Sequence, residues 1–137
     1  MICKQKIAEL TKCYCIAGFH DEAGEHILVA SEKDYPCHMF SLSGALEETL
    51  WETPGGVMSM VQVPGMTDCL LATRKFYSPN DSKAAYIAAI YREGDGWKEH
   101  TLCTLPHVHR FDIIPVGESL YPVSYTHLRA HETLSDL

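Results

Sequence analysis

Thr49-Leu50-Trp51-Glu52-Thr53-Pro54 and Thr101-Leu102-Cys103-Thr104-Leu105-Pro106 stand 52 residues apart, from 49 to 101, and both open on Thr-Leu and close on Pro. At the same offset Val61 falls opposite Ile113 and Gly65 opposite Gly117, so the likeness runs across an element boundary. Upstream, His26-Ile27-Leu28-Val29-Ala30 matches Cys69-Leu70-Leu71-Ala72-Thr73, and 37–42 matches 84–92, the second copy carrying the longer loop 77–83. Such self-similarity predicts copies of one supersecondary unit, each hiding its apolar faces against the next.

The hydrophobic pattern says what that unit contains. Apolar residues alternate with period two in short runs at 12–20, 26–32, 37–42, 47–53, 57–63, 69–76, 84–92, 97–104 and 108–116, which is the spacing of half-buried strands. Between them lie Asp21-Glu22-Ala23-Gly24, Lys33-Asp34-Tyr35-Pro36, Pro54-Gly55-Gly56, Ser78-Pro79-Asn80-Asp81 and Glu93-Gly94-Asp95-Gly96, all turn-forming by composition. Helical spacing is confined to residues 2–10. The alanine-rich stretch 84–91 reads as strand, because Gly94-Asp95-Gly96 then returns the chain as a hairpin.

Four strands in roughly 45–52 residues is the size of a β-propeller blade. A two-sheet sandwich would need no repetition. The expected fold is therefore all-β, a partial β-propeller: residues 1–11 lead in, blades occupy 12–53 and 57–104, and 108–121 supply the first strand of a third. Rings close with about four to eight blades, so the chain is expected to be a fragment. Residues 122–137 depart from the pattern, and Val123-Ser-Tyr-Thr-His-Leu-Arg-Ala-His-Glu-Thr133 resembles the conceptual translation of a sequencing-adapter read-through. That tail is expected to be non-native and is set aside from site reasoning.

Composition bounds the function. Of 137 residues, 18 are acidic and 11 are Lys or Arg, a net charge of −7 with His neutral. That balance argues against a nucleic-acid partner, which needs a basic face to neutralise phosphate. No apolar run approaches the ~20 residues of a membrane span, and the start, Met1-Ile2-Cys3-Lys4-Gln5-Lys6, has no signal-like apolar core. A cytoplasmic protein of bacterial type is the expectation. The six cysteines form no Cys-x-x-Cys pair and sit mostly in apolar runs, as reduced, buried thiols do. Cys13 and Cys15 are expected to share one strand face. No Gly-x-Ser-x-Gly occurs, so nucleophilic hydrolysis has no support.

The densest polar cluster is His107-Val108-His109-Arg110-Phe111-Asp112. On a strand, His107 and His109 would share one face, and Arg110 and Asp112 the other. In a propeller the link between successive blades lies at a mouth of the central channel. There an imidazole can move a proton near neutral pH and an Arg can hold a carboxylate or phosphate. The His-x-His pair lacks further metal ligands at recognisable spacing. These four residues are the candidate binding site, for a carbohydrate or protein ligand. Asp21, Glu22 and Glu25, grouped around Gly24, are weak candidates for a divalent cation, because a hard ion needs converging oxygens on a tight turn. No cofactor is otherwise implied.

Tyr91-Arg92-Glu93-Gly94-Asp95-Gly96-Trp97-Lys98-Glu99-His100-Thr101-Leu102, followed by Pro106-His107-Val108-His109-Arg110-Phe111-Asp112-Ile113, resembles the blade junction of propellers of the FG-GAP/VCBS type, including aldos-2-ulose dehydratase-like proteins. The resemblance covers about 30 residues. It implies a six- to eight-bladed ring for carbohydrate binding or lyase/isomerase chemistry, with His107 and His109 as the positions to test. Val116-Gly117-Glu118 stands where that family carries its acidic calcium loop. The functional expectation is a fragment of a binding or scaffold propeller, the alternative being the N-terminal part of a carbohydrate-active enzyme; no pattern decides whether the protein is an enzyme.

Overall fold

The alternating runs fold, in a computed structural model that describes residues 1–126 and 130–133 and side chains as far as Ser124, into strands joined by tight turns. In chain order these are β1 (Cys13–Asp21), β2 (Gly24–Ser31), β3 (Cys37–Ser41), β4 (Leu46–Trp51), β5 (Met60–Gln62), β6 (Cys69–Arg74), β7 (Tyr86–Glu93), β8 (Gly96–Thr104), β9 (Val108–Val116), β10 (Ser119–Thr126) and β11 (Ala130–Thr133). They form three antiparallel sheets, ordered β1-β2-β3-β4, β5-β6-β7-β8 and β9-β10-β11. Each strand pairs with its neighbour in sequence, so every connection within a sheet is a local hairpin. The protein is all-β, and among the described residues there is no helix, hence none long and apolar enough to cross a membrane.

Three expectations need correction. Residues 2–10 are irregular and almost wholly exposed; a segment of two or three turns without a packed face does not offset the cost of helix nucleation. The strand expected over 57–63 is only Met60–Gln62. Its first residues are drawn off by Thr73, whose Oγ1 accepts from the backbone N–H of Met58 at 2.7 Å and of Ser59 at 3.0 Å. The third sheet holds more than its first strand: Gly117, at φ 63°, turns β9 into β10, and residues 122–126 of the supposed tail continue that ladder. Residues 130–133 add β11, while 127–129 and 134–137 lie outside the described residues.

Alternation decides how the sheets stack. One apolar cluster joins Phe19, Leu28, Ala30, Met39 and Leu50 of the first sheet to Met60, Leu70, Ala72, Ala88 and Ile90 of the second. Another joins Cys69, Leu71 and Ile87, from the second sheet's opposite face, to Val108, Phe111 and Ile113 of β9. The second sheet is thus covered on both sides, and β6 is buried at every residue. Each fully buried Leu or Ile in these layers contributes roughly 1.5–3 kcal/mol.

Between the first two sheets lies Arg74, only 1% exposed. Its guanidinium stacks on the Trp51 ring at 4.1 Å, donates from Nη2 to the Pro54 carbonyl at 2.6 Å and faces Glu99 Oε2 from Nη1 at 2.8 Å. The other carboxylate oxygen of Glu99 accepts from the Tyr86 hydroxyl at 2.5 Å. Burial lowers the Arg74 pKa, and burial together with Glu99 pushes that of Tyr86 up to about 12.

The crossing from first to second sheet has the closest backbone approach. Gly56 donates its N–H to Lys33 O at 3.1 Å and accepts from Phe76 N at 3.1 Å. At φ 69° it is in the left-handed region, and a Cβ there would collide with the Lys75–Phe76 backbone. Gly56→Ala is therefore expected to lose roughly 2–4 kcal/mol of stability in urea titration, by combined strain and clash. Gly65→Ala, with φ 81° but open space around the site, is expected to lose only about 1 kcal/mol.

Candidate functional site

The first strands of the three sheets lie close together. Gln62 of β5 stitches its side-chain amide to β1, accepting from His20 N at 2.8 Å and donating to His20 O at 2.6 Å. Near their starts β1 and β9 each slip register by one residue. Cys13 pairs with Ser31 but Cys15 with Ala30, leaving Tyr14 extra. Val108 pairs with Thr126 but Arg110 with Tyr125, leaving His109 extra. A bulged residue is released from the ladder and its side chain re-aimed.

The two bulged side chains meet. Tyr14 Oη lies 3.3 Å from His109 Nε2, with the rings edge-on at 6.3 Å. The imidazole also stands edge-on to Phe76 at 5.2 Å. Whether Nε2 accepts from or donates to the hydroxyl follows from the tautomer, and either choice satisfies both groups. The bulge also corrects the expectation for the thiols: Cys13 is exposed and Cys15 buried, because the extra residue breaks the period-two alternation between them. Burial pushes the Cys15 thiol up to about 11.

The four sequence-predicted residues separate. His107 is not on the strand; it precedes β9 in a left-handed turn at φ 64°. Its N–H donates to Ser82 O at 2.9 Å, and Nδ1 lies 2.8 Å from the hydroxyl of Ser82. Since Ser82 is 1% exposed, this imidazole anchors the crossing from second to third sheet. His109 belongs to the aromatic contact with Tyr14. Arg110 and Asp112 do share an exposed face of β9, and with Tyr14, Ile16 and the 58–61 segment they line a cleft of about 450 Å³. His109 and Arg110 are adjacent in sequence, yet they serve two neighbouring surfaces.

His109 opens onto a second cleft, of about 490 Å³, shared with Lys12, Tyr14, Lys33, Met58, Phe76 and Tyr77. Lys12, Lys33 and Tyr77 continue into an adjoining space of about 530 Å³ bordered by Asp34, Tyr35 and Asp81. The Tyr77 hydroxyl donates to Asp34 Oδ1 at 2.6 Å, and Gly55 N donates to the same oxygen at 3.1 Å. Those bonds hold the Asp34 carboxyl below the usual range, and burial with the Asp34 contact raises the Tyr77 pKa. Lys33 Nζ is tied to Tyr77 O at 3.0 Å. The surface thus presents ring faces beside fixed charges of both signs. Sequence reasoning passed over Asp34, Tyr35 and Tyr77 because they flank segments legible only as turns; aromatic residues bracketing two turns of neighbouring units were the available signal.

The weak cation candidates do not converge. Asp21 Oδ1 accepts from Ala23 N at 2.8 Å and contacts His26 Nε2 at 2.8 Å. Glu25 pairs with His20 at 3.1 Å, and Glu22 is exposed on the turn. Among the described residues no three His, Cys, Asp or Glu side chains are placed to hold a metal ion. Comparison with protein-family models, curated proteins and solved structures yields no match.

Thiol accessibility checks this geometry. In a native labelling time course followed by mass spectrometry, Cys3 and Cys13 are expected to react with a maleimide, whereas Cys15 and Cys37 are expected to react only after denaturation.

Proposed function

We propose that the chain is an arc of a β-propeller that works as a binding or scaffold module, with its ligand surface at the first strands β1, β5 and β9. The observation that carries this reading is the meeting of Tyr14 and His109 at 3.3 Å, which draws first-sheet and third-sheet first strands together across the start of the second. Stacked four-stranded sheets whose first strands converge are what a ring arranged about an axis requires. The quoted sequence pairs support it as well: Leu50 and Leu102 stand in the fourth strands, Leu28 and Leu71 in the second, and Gly65 and Gly117, both at positive φ, in the first hairpins. Six free thiols suit a cytoplasmic setting.

The ligand class that fits this surface is a carbohydrate. Ring faces of Tyr14 and Tyr77 suit stacking on a sugar, and Arg110, Asp112, Lys12 and Lys33 offer donors and acceptors to hydroxyls. Binding is favoured over catalysis because His107 is committed to Ser82 and the Asp34 carboxylate to Tyr77 and Gly55.

Two measurements test this. A glycan array followed by calorimetry is expected to find an oligosaccharide whose affinity falls at least about tenfold in Tyr77→Ala and Arg110→Ala, on the order of 1.4 kcal/mol. A sugar released in altered form would favour the enzyme alternative, and an array without any bound glycan would overturn the carbohydrate assignment. The structure of the product of the uninterrupted genomic locus is expected to show further four-stranded sheets closing a ring; a sandwich would refute the propeller.

A further inference from the structure

At the end of the first sheet remote from Tyr14 and His109, His26 is the third residue of β2 and is 6% exposed. Both its ring nitrogens face carboxylates: Nε2 lies 2.8 Å from Asp21 Oδ1 of β1, and Nδ1 lies 2.5 Å from Glu47 Oε2 of β4. A neutral imidazole carries one N–H and one lone pair, so it can serve only one of these acceptors. The arrangement is complete only for the imidazolium.

The surrounding groups extend the contact to the second sheet. Arg92 of β7 binds Glu48 of β4 through Nη1 at 2.9 and 3.1 Å and faces Asp21 Oδ2 at 3.7 Å. Trp97 of β8 donates to Glu48 Oε2 at 2.7 Å and packs edge-on to Phe19. Opposite His26, β3 contributes Ser41, which is not titratable. On its own strand Glu25 is paired with the exposed His20. The buried imidazolium and Arg92 therefore offset Asp21, Glu47 and Glu48. Removing the His26 proton leaves one cation among three carboxylates.

We propose that His26 is a proton-controlled latch, closed when protonated, that holds the start of β4 to β1 and β2 and steadies the contact between the first two sheets. Glu47 is the arm that opens: its side chain is 36% exposed, whereas Asp21, at 15%, is also fixed by the Ala23 N–H. Burial alone would lower the His26 pKa, but the hydrogen bonds it donates to Asp21 and then Glu47 outweigh it and raise the value. The same His26 contact, with that of Ala23 N, overcomes the effect of burial on Asp21 and lowers its pKa. A group whose folded-state value is raised contributes fully below its unfolded value of about 6.5 and loses that contribution as pH rises through the folded value.

The test is an NMR titration of the histidine side chains with amide exchange across β4, on the full chain. His26 is expected to titrate above the ordinary histidine value. On raising pH through its midpoint, amides of 46–48 are expected to lose about tenfold or more in protection beyond the intrinsic pH effect, because local opening of β4 becomes easier once the imidazolium is gone. Glu47→Gln, whose amide can meet either protonation state, is expected to flatten that loss while the fold is kept. A His26 midpoint at or below the ordinary value, or the same pH-dependent loss in wild type and Glu47→Gln, would overturn the proposal.

Discussion

The two-sided burial of the second sheet is the constraint on which the rest of this structure depends. Its central strands β6 and β7 carry apolar side chains on both faces, so it is stable only when clasped, and β6 is buried along its whole length. Sheets one and three supply the two walls. The crossings between sheets must then return the chain to the next first strand within a few residues. That is why Gly55 and Gly56 run against the Lys33 and Lys75–Phe76 backbone, and why His107 accepts a left-handed conformation on Ser82.

Charge placement follows from the same stacking. Polar groups caught between sheets must find partners there, because a lone buried charge costs several kcal/mol. Arg74 finds Trp51, Pro54 and Glu99, and Arg92 finds Glu48 beside Trp97. Each Arg of the second sheet is thereby bound to a residue of β4, the outer strand of the first. Hydrophobic burial holds the faces together without direction, while these stacked and paired groups fix how one sheet sits on the other.

The candidate surface arises where regular pairing is interrupted. Tyr14 and His109 reach one another because each has been released from its ladder by a bulge. Around them, Lys33 and Asp34 meet Tyr77 from loops distant in sequence, and hydrogen bonds hold all three in place. Such preorganised rings and charges suit recognition, since little side-chain freedom is lost when a ligand binds.

The alternation of apolar and polar residues located the strands by itself: each of the nine expected runs overlaps one of β1 to β9, and 86–91 is strand despite its alanines. Strand formation depends on local pattern and turn chemistry, which sequence carries directly. Sequence likewise singled out His107, His109, Arg110 and Asp112 as a polar cluster at a sheet crossing. Tertiary structure decided which of them act together. It sent His107 to Ser82, joined His109 to Tyr14 across 95 positions, and set His26 between Asp21 and Glu47. A one-residue bulge leaves almost no mark on composition yet turns a side chain to another surface, and contacts between sheets arise only once burial has stacked them.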